Sequence, residues 1–395
     1  VSAWREVKVQ DLGDIFDGPH ATPKRTNKGP HFLNISSLID GRLALEHSDR
    51  VSEEDFVTWT RRVTPIEGDL LFSYETRLGD AALMPAEIRA CLGRRMAILR
   101  PKRSVVDPRF LLYAYRGPAM REQIEAKAIR GATVDRIPLN RFGDWSIQIP
   151  ELSEQRSIAK VLGALDDKIA ANQRTAHASW ALSAALYSQV SRNAGGSVLL
   201  GDLVATQYGL TTPATGGPAQ LLRVTDINKR PWITWESVPF CDPSPADMIR
   251  YKLAPGNIVV ARMADPGKSA WISSDPLEAV FASYLVRLKV HDPTQSAFVY
   301  HFLQSQAYLD YVQFSKQGSV QSNMNAKVIV NCPMPDPGKV DLKTFNEKAS
   351  LLRQTIDISL AEASRLEALR DTLLPALMSG KLHVKDAERA VEDVL

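Results

Sequence analysis

Two stretches of the chain carry apolar residues at helical spacing over an unusual length. From 151 to about 192, Ile158, Leu162, Leu165, Ile169, Ala176, Trp180, Ser183, Tyr187 and Val190 form one stripe, in steps of three or four or sums of them. From about 341 to 378, Phe345, Ala349, Leu352, Ile356, Leu360, Ala363, Leu366, Leu369, Leu373 and Leu377 form another. A spacing near 3.5 sets each stripe on a seam that a neighbouring helix covers, as in a coiled coil. The pattern predicts two helices of about 40 residues, each on the order of 60 Å long at 1.5 Å per residue. A helix of that length needs a partner, and the simplest is the other one, packed antiparallel. The ends are marked as well. Pro150 with Glu151, and Pro335 with Asp336 and Pro337, supply rigid turns before the two runs, and Asp341 is placed to cap the second. Asn193, Gly195 and Gly196 stop the first helix, while Pro375 signals a kink or an approaching stop and Gly380 a later break.

Elsewhere the apolar runs are short and bounded by Gly, Pro, Asn and Asp, the pattern of strands joined by turns. GDLLFSY, RMAILR, WSIQI, NIVVARM, YLVRLKV and KVIVNCP are strand candidates, and 108–127 and 294–312 are helical. These signals occur twice, at an offset of about 188 residues, too long a period for a solenoid. Leu12-Gly13-Asp14 returns as Leu200-Gly201-Asp202, Gly29-Pro30 as Gly217-Pro218, and FLNISSL (32–38) as LLRVTDI (221–227). Gly68-Asp69-Leu70-Leu71 returns as Gly256-Asn257-Ile258-Val259, Phe110 as Phe298, and the loop at Gly131 as that at Gly318. The fold expected is α+β: two similar mixed α/β domains at 1–150 and 197–335, with pseudo-two-fold internal repetition. The first long helix and its linker fill 151–196, and the second, with a short charged tail that is frayed or docks elsewhere, fills 336–395.

Composition narrows the possible chemistry. Hydrophobic residues make up 44% and charged residues 24% of the 395, a globular balance. The three cysteines, Cys91, Cys241 and Cys332, are odd in number and far apart, which points to a reducing, cytoplasmic setting. No apolar stretch reaches the roughly 20 residues of a membrane span. The seven histidines form no metal-ligand or general-base motif, and there is no phosphate-binding glycine loop with its lysine, no nucleophile elbow and no methyltransferase signature. Asp69, Glu75 and Asp80 lie close in sequence and are expected to solvate a loop. No catalytic residue and no resident cofactor or metal is expected.

Binding fits better. The net charge is only +3, but 1–150 holds 23 basic against 20 acidic side chains and clusters several of them. Candidate DNA contacts there are Lys24, Arg25, Lys28, Arg61, Arg62, Arg77, Arg94 and Arg95. In 197–335 they are Thr211, Thr212, Arg223, Lys229, Arg230, Arg262, Lys268, Lys316, Gln317, Ser319, Gln321, Asn323 and Asn325. Arg, Lys, Asn and Gln form the base-edge hydrogen bonds that discriminate sequence, and phosphate contacts fix register. The GSVQSNMN loop, 318–325, is the foremost recognition candidate.

With these features the chain resembles the specificity subunit of a type I restriction–modification system. IPELSEQRSIAKVLGALDDKI (149–169) resembles that family's first conserved helical region. MPDPGKVDLKTFNEKASLLRQTI, ending in RLEALRDTLLPALMSGKL (365–382), resembles the second, without its Glu-Gln pair. LGDIFDG and GATVDRIPLNRFGDWSIQIP are similar to the borders of target recognition domains. The resemblance implies a non-catalytic subunit whose two target recognition domains each read one half of an asymmetric, interrupted site in double-stranded DNA. The antiparallel helices would set the spacing. It also implies two modification subunits, which bind S-adenosylmethionine and methylate adenine, and restriction subunits, which use ATP and Mg. The competing readings are a scaffold of duplicated protein-binding domains without DNA contact, and a fused single-chain restriction–modification enzyme, which the missing motifs disfavour.

Overall fold

The computed structural model describes residues 4–19, 21–131, 134–273, 278–316, 323–392 and 394. The chain forms two compact units, Val1–Ala171 with Glu362–Leu395, and Asn172–Ala361.

The first unit is built on a four-stranded antiparallel sheet in the order Gly13–Asp17, Met96–Pro101, Leu70–Ser73, Ala81–Leu83. Both faces of this sheet are buried. Leu70, Phe72, Ala81, Ala97 and Leu99 share a core with the helix Pro108–Arg116, while Leu71, Ala82, Met96 and Ile98 share another with Leu33, Leu38, Ala90 and Leu92. Successive strand residues point to opposite faces, so burial on both produces the continuous apolar runs seen in the sequence. The second core is closed by a smaller sheet, in which Thr26–Leu33 pairs antiparallel with Asp49–Arg50 and parallel with Ala90–Leu92. Arg5–Lys8 pairs with Ser146–Ile149 to tie the ends of the domain together. The helical region 108–127 is two helices, the second being Pro118–Lys127. The first opens on Asp107, whose Oδ1 accepts the N–H groups of Arg109 at 2.9 Å and Phe110 at 3.0 Å.

The second unit repeats this plan. Its four-stranded sheet runs Val204–Tyr208, Leu285–Val290, Asn257–Ala261, Ser269–Trp271. Its smaller sheet pairs Ala219–Leu222 antiparallel with Phe240–Cys241 and parallel with Ala279–Phe281, and Ser197–Leu199 pairs with Pro333–Pro335. Helices Ser296–Leu303 and Gln306–Lys316 match the first unit's pair. The repeat offset is therefore one topology used twice.

The long helices are Leu152–Ser191 and Leu342–Met378. In the first unit Ile158, Leu162, Leu165 and Ile169 share a core with Ala363, Leu366, Leu373 and Leu377. Arg370 Nη1 lies 2.9 Å from Asp166 Oδ1, and the Tyr113 hydroxyl donates to Asp166 Oδ2 at 2.6 Å. In the second unit Ala176 packs with Ile356, and the rings of Tyr187 and Phe345 meet edge-on at 6.5 Å. Residue numbers rise on one helix as they fall on the other, so the pairing is antiparallel. Asp341 accepts the Thr344 N–H at 3.1 Å as the expected cap. Pro375 lies inside the second helix, which continues to Met378 before Gly380 turns left-handed (φ 67°).

Two expectations are corrected, the strand at KVIVNCP, which is helical over Ala326–Val330 before the strand Pro333–Pro335, and the loop carboxylates. Of the two outcomes expected for the charged end, docking is the one found: Val384–Glu392 is a helix whose Ala387 and Val391 are buried in the first unit's core. The three carboxylates expected to solvate a loop each hold an arginine: Asp69 with Arg100 at 2.8 Å, Asp80 with Arg77 at 2.6 Å and Glu75 with Arg95 at 3.4 Å. Asp69 is only 1% exposed and also accepts the Ile66 N–H at 2.9 Å. Its counterpart Asn257 accepts the Ala254 N–H at 3.2 Å, so the same turn is closed in both units.

Candidate nucleic-acid interface

At the end of each four-stranded sheet the backbone makes the same rare turn. In the first unit the Arg77 N–H donates to the Glu75 carbonyl at 2.8 Å across Thr76, whose φ is 70°. In the second the Asp265 N–H donates to the Met263 carbonyl at 2.8 Å across Ala264, whose φ is 63°. A hydrogen bond from residue i+2 back to i across a positive φ is a γ-turn of the strained kind, and neither central residue is glycine. The surroundings match too. Tyr74 N–H reaches Arg95 O at 3.1 Å, as Arg262 N–H reaches Tyr284 O at 2.9 Å; Ile137 N–H reaches Tyr74 O, and Met324 N–H reaches Arg262 O, both at 2.8 Å.

On this shared frame the side chains differ. Strand register matches Asp17 with Tyr208, because Asp17 faces Ala97 and Tyr208 faces Val286. The hydrogen bonds match Tyr74 with Arg262, and Arg95 with Tyr284. In the first unit the frame carries ion pairs, Arg62 with Asp17 and Arg95 with Glu75, around a buried Tyr74 hydroxyl that has no partner. Burial, with Glu75 and Asp17 adding to it, pushes that phenol above its ordinary pKa. In the second unit it carries aromatic rings. The Arg262 guanidinium sits 5.1 Å above the Tyr208 ring and donates to the Ser283 carbonyl at 3.3 Å, while its Nε is buried without a partner. Tyr208 is 44% and Tyr284 50% exposed, and the Tyr208 hydroxyl accepts the Ala326 N–H at 2.9 Å.

Beside the first unit's turn lies a cleft of about 510 Å³ with charged walls of both signs, among them Asp40, Arg77, Asp80, Arg116 and Arg121. Burial holds the Arg116 guanidinium below its ordinary pKa. At the matched position the second unit has Gln304, which donates to Ser269 O at 2.9 Å and Oγ at 2.8 Å.

The sequence-derived candidates divide into free and internally engaged groups. Lys24, Lys28, Arg61 and Arg94 are exposed, as are Thr211, Lys229, Arg230, Lys268 and Asn323, and Thr212 is half-buried. Arg25 is held by Asp49 at 3.1 Å and Arg62 by Asp17. Arg77, besides Asp80, donates to the carbonyls of Ile35 and Leu38 at 3.0 and 3.1 Å. Arg223 is held by Asp226 at 3.1 Å, and Asn325 caps the helix Ala326–Val330 by accepting the Val328 N–H at 2.9 Å. Lys316 ends a helix; Gln317, just before the foremost candidate loop, and Ser319 and Gln321 within it, lie outside the described residues. Of these candidates, the frame gathers Arg62, Arg77 and Arg95 in the first unit and Arg262 in the second. Tyr208 and Tyr284 escaped the sequence reading because tyrosines at strand ends look like core. The available signal was their position beside Gly209 and Ser283, where strands give way to turns.

All three thiols are buried, and burial pushes those of Cys91 and Cys332 up to about 12, far from thiolate chemistry at neutral pH. Among the described residues no group of His, Cys, Asp or Glu is placed to hold a metal ion, and no helix is long and apolar enough to cross a membrane.

Comparison with known proteins places this geometry in context. Residues 2–177, the first domain and part of the first long helix, match the family model of the type I restriction modification DNA specificity domain. An archaeal protein from Methanocaldococcus jannaschii, described as a type I restriction enzyme specificity subunit, is 26% identical over 174 residues, which cover 42% of this chain and 40% of that relative's length. The crystal structure of a type I restriction–modification S subunit from M. genitalium is similar over 95% of this chain and 96% of its own, with a TM-score of 0.59 at 16% identity. That likeness is one of fold.

Proposed function

We propose that the chain is a specificity subunit of a type I restriction–modification system, a reading supported by the match over residues 2–177 and by the archaeal relative, and that it reads a bipartite, asymmetric DNA target, one half through each domain. The observation that carries the proposal is the shared frame with unlike side chains: one topology holds Asp17, Tyr74 and Arg95 in the first unit and Tyr208, Arg262 and Tyr284 in the second. Two copies of one reader with different contact chemistry suit a target whose halves differ.

In this reading the exposed Lys24, Lys28, Arg61, Arg94, Lys229, Arg230 and Lys268 hold phosphates and set register, and base-edge contacts supply specificity. The unread spacing follows from the paired helices. The chain performs no chemistry of its own. It directs two modification subunits, which bring S-adenosylmethionine and methylate adenine, and through them restriction subunits, which bring ATP and Mg; any flipping of the target adenine belongs to the subunit that methylates it. The setting is the cytoplasm.

The test is domain exchange. Adenine methylation is mapped in DNA exposed to the assembled complex, before and after residues 197–335 are replaced by another family member's second domain. One half of the target is expected to change, and a change in both halves would contradict the division of labour. The protein-scaffold reading separates by gel retardation, because phosphate contacts release counterions and make binding fall steeply with salt.

A further inference from the structure

We propose that the γ-turn end of each four-stranded sheet sets the base preference of its domain, and that in the second domain Arg262, stacked on Tyr208 and flanked by Tyr284, selects guanine. The inference rests on the DNA-reading function above and names the side chains that perform it.

The first ground is the frame. A non-glycine residue in the left-handed region is uncommon and strained. Thr76 and Ala264 both adopt it, at matched places, each followed three residues later by a left-handed glycine, Gly79 and Gly267. Nothing local to Thr or Ala demands this, so the surrounding structure imposes it in both units. The second ground is divergence on that frame. Where the backbone is kept and the side chains differ in charge and aromaticity, the frame presents and the side chains discriminate.

The chemistry of Arg262 is the third. A guanidinium has five donors in a rigid plane. Here one donor reaches Ser283 O, and the plane is fixed over a tyrosine ring. A phosphate needs only a mobile charge, which exposed lysines supply. A half-buried arginine of fixed plane suits a fixed pair of acceptors, and guanine presents O6 and N7 together in the major groove. The exposed Tyr208 ring beneath it, and the exposed Tyr284, whose carbonyl accepts the Arg262 N–H, offer apolar contact to the neighbouring bases. The first domain presents the opposite polarity, since Asp17 and Glu75 are acceptors held in place by Arg62 and Arg95. Carboxylates there favour a base with an exposed amino group, as on cytosine.

The test is selection by the full chain from a library of random duplexes, with sequencing of the bound fraction. The wild type is expected to enrich a two-part site with guanine at one position of the second domain's half. Arg262→Gln should lower the preference for that guanine between about 5-fold and 150-fold, the span of one bidentate base contact, leaving the other half unchanged. Glu75→Gln should change the first half alone, and Arg230→Ala should weaken binding to all sequences alike. Should Arg262→Gln not fold, as judged by its thermal transition, Tyr284→Ala removes an exposed ring and should alter the same half. If the wild type enriches no sequence, the DNA-reading function itself is wrong. If it enriches a site and folded Arg262→Gln keeps every base preference, or loses affinity equally for all sequences, DNA reading stands and this inference is overturned.

Discussion

Asp166 ties two elements of the first unit to its helix: it accepts from Tyr113 and pairs with Arg370 on the opposing helix. Removing one member of a buried pair leaves the other uncompensated, so Arg370→Ala should cost about 3–5 kcal/mol in urea unfolding; a cost below 1 kcal/mol would mean that the pair is idle. In the second unit His301 is buried, with Nε2 at 2.8 Å from Ser183 Oγ and Nδ1 lacking a partner. Burial, helped by the nearby Arg353 charge, pushes this imidazole down to about 4 from 6.5. Because the folded value lies below the unfolded one, the unfolded chain takes up the proton first as pH falls. The stability contributed by neutral His301 is whole above about pH 6.5 and drains away towards pH 4, about 3 kcal/mol in all. Unfolding midpoints from pH 7 to 4.5 should therefore fall more steeply for the wild type than for His301→Gln, and parallel slopes would refute the assignment. At this scale the sequence was least legible. It showed which residues are cationic, but Asp17 lies 45 positions from Arg62 and Asp49 lies 24 from Arg25, so no local pattern reveals which cations are already neutralised.

Elements were far more legible, because their signals are local and repeated. The 3.5-residue stripes produced both long helices, and the turn residues that punctuate the strands produced the offset of about 188. The final helix was missed because 381–395 is rich in charge, and its two buried residues, Ala387 and Val391, form too narrow a stripe to stand out. The γ-turns were invisible for a different reason: Thr76 and Ala264 carry no preference for a positive φ, and the frame around them decides it. The capped start of Pro108–Arg116 gives a prediction at this scale. Asp107→Ala leaves two N–H groups without their acceptor and should cost about 1 kcal/mol, read as a lower thermal midpoint. On the long helices, Leu366→Ala empties a fully buried site and should cost about 2–5 kcal/mol, measured by the same unfolding curves.

For the whole molecule the near-neutral total conceals a division of labour between exposed cations and internal pairs. Binding to duplex DNA should fall linearly on a logarithmic salt axis, with the slope reduced by about one for each phosphate-holding lysine removed. Lys24→Ala and Lys229→Ala are the measurements to make, and an unchanged slope would remove those residues from the interface. The division into units carries one more consequence, for the order in which the chain is made. The second unit is continuous from Asn172 to Ala361, whereas the first takes Leu366, Leu373, Leu377, Ala387 and Val391 of its core from the segment that follows it. On the ribosome the first unit, although begun before the second, is therefore completed after it, because the residues that close its core are made only once Asn172–Ala361 has been synthesised.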